Sequence, residues 1–484
     1  MSLVSLLCWA MAAILAAVMA WFAITSRKER EPRAERLGWI LAILAPAPYV
    51  VAAVLPPPWG TPIQVILLTL PLLVGLIVLR PDSTPEPPSA DPSTRVDERD
   101  IMFARMRLRP GTPEYESYYA MRPELREVDD RLRARPGLLS PRSQLYEPYA
   151  MTATHASFAV INHMRPHVDG PVASEQIEAD PEEMTRLIKG LARYWGAHSV
   201  GITELKDYHV YTHVGRGAGR YGEPIHLPHR HAIAFTVEMA YEMVAAAPTA
   251  PSSMESARQY LEAARTALQL AEYIRSLGYP ARAHIDGNYR VIAPLVAWDA
   301  GLGEIGRMTL LMTPDLGPRV RINVVTTDLP LVPDRRQRDA AVIDFCRKCL
   351  KCAENCPSGA IPSGDPVREG DQERWKLDPV ACYRYWATSG TDCAVCMRVC
   401  PFSHPDTRLH GVVRWALHRS AAARSLALAL DDLFYARHPA PRLLPSWLPP
   451  QPVSPNYGKR RAQSRRRTGH KETNASEGAG EGIG

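Results

Sequence analysis

Eight of the nine cysteines fall in two blocks, and their spacing limits what the chain around them can enclose. The first block reads Cys346, Cys349, Cys352 and Cys356-Pro357. The second reads Cys382 and then, after a ten-residue gap, Cys393, Cys396 and Cys400-Pro401. Three thiolates at two-residue intervals wrap three corners of a [4Fe–4S] cube, and the fourth Cys of such a run, followed by Pro, ligates the neighbouring cluster. This pattern assigns Cys346, Cys349, Cys352 and Cys400 to one cluster, and Cys356, Cys382, Cys393 and Cys396 to the other. A zinc site would use two separated Cys pairs and leave the rest of each block without a role. Disulfides need an oxidising compartment, and nothing at the start of the chain reads as a cleaved secretory signal. Adjacent cubes suit sequential one-electron transfer, so this is a chain that moves electrons.

At 484 residues it is far longer than a ferredoxin and has room for two to four structural units. Three apolar stretches open it, over residues 3–24, 37–55 and 63–79, each of a length suited to a bilayer. The first connection, residues 26–36, carries five basic residues, and the second, 56–62, carries none. By the positive-inside rule the first connection stays cytoplasmic, and with it everything after Arg80. The expected location is the inner membrane, multi-pass, with the soluble part on the cytoplasmic side. Cys8, inside the first stretch, reads as a small apolar packing residue. The net charge of +6 is modest and traceable in part to a basic tail, so it does not argue for a nucleic-acid partner.

In the soluble region, alternation over residues 231–239 and again over 319–325 predicts strands. Ser252 and Glu255 read as a capping box for a helix running to about Leu277, where Gly278 and Pro280 stop it. Sheet and helices together give an α+β layered core upstream of the cysteine blocks. Gly301, Gly303 and Gly306 match a dinucleotide fingerprint in letters only, because a helical segment precedes them and an extended one follows, the reverse of what that fingerprint requires. These glycines instead let backbone pass close to something bulky, whether another segment or a flat cofactor. His226, His229 and His231 are spaced as ordinary hydrogen-bonded histidines. Asp207-Tyr208-His209 lacks the Gly that would make it a cobalt-ligand motif, since Thr212 stands there.

The ordered series from about Tyr194 to Pro405 resembles the reductive dehalogenases and their relative epoxyqueuosine reductase. The carrying segments are Gly196–Ile202, Val237–Met243 with Ala247-Pro248, Ala300–Arg307, Leu316–Arg321, Thr327–Pro330 and both cysteine blocks. The resemblance implies a nitroreductase-like core binding a corrinoid (cobalamin) base-off, with two [4Fe–4S] clusters in a ferredoxin-like domain relaying electrons to cobalt. It implies that Tyr241 donates a proton and that Arg307 is the basic residue beside it. Asn288, Arg290, Gly301, Gly303 and Gly306 are then candidates for the corrinoid pocket. From the residues alone, without the resemblance, Tyr241 reads as a core or interface tyrosine, and Arg307 equally as a grip on a corrinoid side chain or phosphate. Asp286 matters for the relative, because epoxyqueuosine reductases place an acidic residue upstream of the glycine segment.

The expected organisation is a three-helix membrane anchor over 1–80, a linker over 81–100, and a corrinoid-binding catalytic domain over 101–335. A two-cluster ferredoxin-like domain over 336–410, a helical extension over 411–440 and a disordered basic tail over 441–484 complete it. The expected partners are membrane lipid, an outside electron donor (a ferredoxin or a quinol) and an organohalide or other small molecule. The leading function is a membrane-anchored, corrinoid-dependent reductive dehalogenase. The alternatives are a corrinoid-dependent reductase of a non-halogenated substrate, or an iron–sulfur electron-transfer protein without local catalysis. No twin-arginine export signal of the respiratory dehalogenases is seen, and epoxyqueuosine reductase lacks such apolar stretches.

Overall fold

The computed structural model describes residues 2–56, 58–81, 91–92, 94–336, 338–369, 372–442 and 447–448. Half of the expected linker (82–90 and 93), and the basic clusters Lys459–Arg461 and Arg465–Arg467 of the expected tail, lie outside the described residues.

The N-terminal apolar stretches form helices α1 (Leu3–Lys28), α2 (Pro32–Leu44), α3 (Ala47–Val54) and α4 (Gly60–Val78). Pro46, with no N–H to donate, separates α2 from α3, and the two together make one of three helical spans long and apolar enough to cross a membrane. Most of their large apolar side chains face outward, among them Leu3, Ile43, Leu72 and Leu76, as expected of surfaces that meet lipid. Cys8 is fully buried between the helices and unpaired.

The core is an antiparallel four-stranded sheet in the order β1-β2-β6-β3. Its strands are β1 (Ser199–Glu204), β2 (His231–Glu238), β3 (Ala281–His284) and β6 (Val320–Thr327). One face is covered by the long helix α5 (Ala250–Ser276). Ala263, Ala264, Ala267, Leu270, Ala271 and Ile274 of α5 meet Ile233, Phe235, Val237 and Val325 in one buried cluster. The alanines let the helix lie close to the sheet, and each fully buried isoleucine contributes about 2 kcal/mol. The other face is covered by α6 (Ala293–Asp299), through Val296, Ala297 and Trp298 against Ala232, Ala234 and Val324.

The capping box expected at Ser252 and Glu255 is not formed. The helix starts earlier, at Ala250 after Thr249, because Pro251 occupies the first turn, where no intrahelical N–H is lost. Ser252 instead donates to the Thr249 carbonyl at 2.9 Å. Glu255 accepts from the Ala240 amide at 2.7 Å and so ties α5 to the end of β2.

Downstream, the hairpin β4 (Glu304–Ile305) and β5 (Leu311–Met312) leads to β6 and then to the cysteine region. That region contains α7 (Ala340–Cys349), α8 (Lys351–Asn355), α9 (Pro379–Ser389) and α10 (Val395–Arg398), followed by α11 (Arg408–Arg419) and α12 (Ala421–Tyr435). Helix α12 packs against α2 and α4, with Phe22 of α1 against Phe434 at 4.7 Å. Anchor and soluble body are therefore in direct contact. Folded structure also begins before residue 101: Glu98 is fully buried and accepts from the Gly215 amide at 2.8 Å and from Arg216 Nε at 3.1 Å.

Candidate active site and iron–sulfur centres

The eight clustered cysteines are unpaired and buried or half-buried. Burial pushes up the thiols of Cys346, Cys349, Cys352, Cys382, Cys393, Cys396 and Cys400, and the neighbours that add to the effect sort the cysteines into sets. Cys400 is affected by Cys346, Cys349 and Cys352, and Cys396 by Cys393, Cys382 and Cys356. These are the two quartets expected from the spacing. Cys352 and Cys396 also act on one another, which places the quartets side by side. Among the described residues, no three His, Cys, Asp or Glu side chains converge as they would around a single ion. The quartets are thus defined by mutual influence and not by a common point.

Local backbone geometry suits cluster binding. Leu350, Cys393 and Ala394 all adopt positive φ, at 58°, 64° and 50°. A left-handed residue other than glycine costs about 1 kcal/mol. Here these turns bring the short helices α8 and α10 round so that amides face sulfur. The amides of Lys351, Ala353, Val395, Met397 and Phe402 donate to Cys349, Cys352, Cys393, Cys396 and Cys400 respectively. Buried thiolates ringed by N–H donors are what a [4Fe–4S] cube needs from protein.

Near the second quartet, Tyr211, Tyr260 and Tyr289 sit deep within the protein yet each keeps part of its surface open; we read the recess they border as a chamber. All three phenols are raised by burial, and Arg216 pulls each back down. The Arg321 guanidinium lies 5.0 Å from the Tyr260 ring. It donates to Ser256 Oγ at 2.5 Å and to Asp392 at 3.3 Å, while its Nε has no partner. Asn323 Oδ1 accepts from the Tyr289 hydroxyl at 2.9 Å and its Nδ2 is left unpaired although fully buried. Asp286 pairs with Arg165 at 3.2 Å. Two wall residues neighbour cluster cysteines in sequence, Asp392 next to Cys393 and Tyr383 next to Cys382. Phe103 stacks edge-on to Tyr383 at 6.0 Å. Unpaired buried donors around an arginine- and tyrosine-lined space fit a large polar-rimmed cofactor such as a corrinoid. A surface depression of about 500 Å³ on the outer side of α5, lined by Trp195, Leu268 and Tyr273, contains none of these groups.

Several residues expected at the site are engaged elsewhere. Tyr241 lies at the anchor, where its hydroxyl donates to Glu31 at 2.6 Å and accepts from Arg442 at 3.0 Å. The cations over its ring are Arg442 at 4.7 Å and Arg319 at 5.7 Å, in place of the expected Arg307. Arg307 is fully buried and spends its donors on carbonyls of the cluster region: Cys346 at 3.0 Å, Pro362 at 2.8 Å and Gly364 at 2.6 Å. Its face rests on Trp375 at 4.8 Å. It clamps the core to the first quartet. Asn288 accepts from Arg282 at 2.9 Å and donates to the Arg165 carbonyl at 3.2 Å. Arg290 holds the carbonyls of Arg216, at 3.1 Å, and Ala218. Both brace the chamber's loops.

The glycine segment approaches other protein segments. A Cβ on Gly301 would meet the Arg335 carbonyl at 2.8 Å, one on Gly303 the Met312 carbonyl at 2.2 Å, and one on Gly306 the Met312 side chain at 2.8 Å and Cys346 Sγ at 3.6 Å. As expected, a helix precedes the segment and a hairpin strand follows it. His229 bonds Thr326 at 2.8 Å, and His209 is buried against Asp299 at 3.0 Å.

The 4Fe-4S dicluster domain family matches residues 345–404. Over 287 residues the chain is 31% identical to the tetrachloroethene reductive dehalogenase of Sulfurospirillum multivorans, covering 52% of this chain and 57% of that one. Over 124 residues it is 30% identical to the epoxyqueuosine reductase of Listeria monocytogenes, covering 22% and 28%. Among solved structures, the catabolic reductive dehalogenase NpRdhA superposes with a TM-score of 0.59 at 27% identity over 75% of this chain and 49% of that one. Its complex with 3-bromo-4-hydroxybenzoic acid gives 0.57 at 25% identity, over 78% and 55%. The chain is thus similar to reductive dehalogenases over about half its length and, over a shorter stretch, to epoxyqueuosine reductase. It spans about half the length of the dehalogenases it matches.

Proposed function

We propose that the protein is a membrane-anchored, corrinoid-dependent reductive dehalogenase whose reaction takes place in the chamber beside Tyr260. The observation that carries this reading is the placement of a tyrosine, an arginine and unpaired buried donors next to a cysteine quartet, in a chain related to dehalogenases. The core is read as nitroreductase-like, with the catalytic part on the cytoplasmic side of the inner membrane.

Replacing carbon–halogen by carbon–hydrogen takes two electrons and one proton and releases halide. When bound, the corrinoid supplies a cobalt centre that takes up electrons and cleaves the carbon–halogen bond. The chain's residues do the rest. The second quartet would hold a cluster able to pass single electrons, and its Cys393 adjoins Asp392, which contacts Arg321 at the chamber. Burial raises Tyr260, so its phenol stays protonated at neutral pH and yields its proton only to a strong base such as a developing carbanion. Arg321 opposes that rise, stabilises the phenolate left behind and attracts the departing halide. Its contacts with Ser256 and Asp392 fix it in place. Tyr260 thus takes the acid role expected of Tyr241, and Arg321 the cationic role expected of Arg307.

Brominated phenolic acids suit the Arg216 and Arg321 walls, in line with the ligand of NpRdhA. Asp286 at the chamber edge supports a second reading, reduction of a non-halogenated substrate in the manner of epoxyqueuosine reductase. Anaerobic reconstitution followed by metal analysis and halide assay tests both. The proposal expects about eight irons, one cobalt and bromide release from 3-bromo-4-hydroxybenzoate. Cobalt without halide release favours the second reading. Iron without cobalt leaves only an electron-transfer role.

A further inference from the structure

The anchor meets the cluster region along a dense polar seam that the dehalogenase chemistry does not use. The turn between α1 and α2 inserts two carboxylates there. Glu29 Oε2 lies 3.2 Å from His410 Nε2, and Glu31 accepts from Tyr241 at 2.6 Å and pairs with Arg442. His404 stacks parallel on His410, with ring centroids 4.7 Å apart. Two buried donors facing this seam have no partner among the described residues, Arg319 Nη2 and Ser403 Oγ. Arg319 lies over the Tyr241 ring, and Ser403 is three residues from Cys400. Unpaired donors in so well-bonded a setting mark a place for a polar ligand.

Exposed apolar side chains flank the seam, and the first cysteine quartet lies near it. Leu426, Leu430 and Leu433 of α12, together with Val412 and Trp415 of α11, expose apolar surface alongside the anchor helices. Asp431 of α12 bonds His404 at 2.9 Å and acts electrostatically on Cys349 of the first quartet. A ligand here would be reached from the bilayer and would stand beside the first cluster.

We propose that the seam is an oxidation site for a membrane-soluble hydroquinone, which feeds electrons to the cluster held by Cys346, Cys349, Cys352 and Cys400. The iron–sulfur reading underlies this proposal; the dehalogenase reading does not. The hydroquinone loses both O–H protons, to the His410–Glu29 pair and to Glu31, and becomes the quinone. Its two electrons pass singly to the first cluster, then to the second, then to the chamber. With an organohalide the sum is hydroquinone plus R–X giving quinone, R–H, a proton and halide. Burial keeps His410 neutral and able to accept a proton.

The test uses the full-length holoprotein in detergent, under anaerobic conditions, with menadiol as donor. Stopped-flow bleaching of the cluster absorbance should follow menadiol in the wild type and slow at least about 10-fold in Glu29→Gln and in His410→Gln. Dithionite should reduce all three proteins at one rate, and equal iron content in all three shows that folding is intact. The proposal fails if menadiol leaves the wild-type clusters oxidised, if a reduced ferredoxin alone reduces them, or if the variants keep the wild-type rate. Halide release driven by titanium(III) citrate bypasses the seam, so its presence or absence judges the dehalogenase reading separately.

Discussion

The molecule holds two tyrosine–arginine pairs that look alike in a residue count and differ in what surrounds them. At the anchor, Tyr241 has its hydroxyl engaged by Glu31 and Arg442. In the chamber, Tyr260 has Arg321 over its ring and no hydrogen-bond partner for its hydroxyl among the described residues. Both phenols are raised chiefly by burial and further by nearby carboxylates; Arg319 opposes the rise weakly at Tyr241, whereas at Tyr260 Arg321 is the largest influence after burial and opposes it. A phenol already spent on a carboxylate joins two parts of a fold. One left facing an enclosed space can give its proton to a ligand.

Substitutions can break this contrast. The largest effect belongs to a cluster ligand on which the chamber depends for electrons. Cys396→Ser removes a ligand of the second quartet, so iron should fall from about eight to about four per chain, and halide release should vanish with any donor. Next is Tyr260→Phe, which should lower kcat by about 10²- to 10⁴-fold with titanium(III) citrate while iron and cobalt contents hold. Arg321→Gln should cost about 10- to 100-fold. It should also move the alkaline limb of the pH–rate profile upward, because a cation that lowers the phenol is gone. That limb lies above the ordinary tyrosine value in the wild type, since activity needs the protonated phenol and is lost as pH rises through its raised pKa. Arg307→Gln should leave the chemistry of the folded fraction intact but reduce stability by about 2–4 kcal/mol, visible as a lower Tm and easier loss of iron. Smallest is Tyr241→Phe, with kcat under titanium(III) citrate within about 3-fold of wild type; a loss as large as that of Tyr260→Phe would erase the distinction.

What the sequence made legible follows the range of the forces involved. Cluster ligation is set by spacing along a few dozen residues, and the quartets inferred from Cys346 to Cys400 are those whose thiols act on one another. Apolar helices and alternating strands are equally local, and residues 231–239 and 319–325 did become β2 and β6. The proposed proton donor is a different matter. Tyr241 and Tyr260 both follow β2, and only the docking of α5 on the sheet decides which one faces the chamber. A local signal existed, since Ser256 and Tyr260 share a face of α5 one turn apart, but nothing in the sequence paired that face with Arg321 of β6. The contacts of Arg307 are non-local in the same way: its partners, the carbonyls of Cys346, Pro362 and Gly364, lie 39 to 57 residues away.

The most direct measurement is bromide release from 3-bromo-4-hydroxybenzoate by reconstituted, anaerobic protein with titanium(III) citrate, comparing wild type, Tyr260→Phe and Tyr241→Phe at equal cobalt content. The account predicts turnover by the wild type and Tyr241→Phe and near-complete loss in Tyr260→Phe. Full activity in Tyr260→Phe, with loss in Tyr241→Phe, would contradict it.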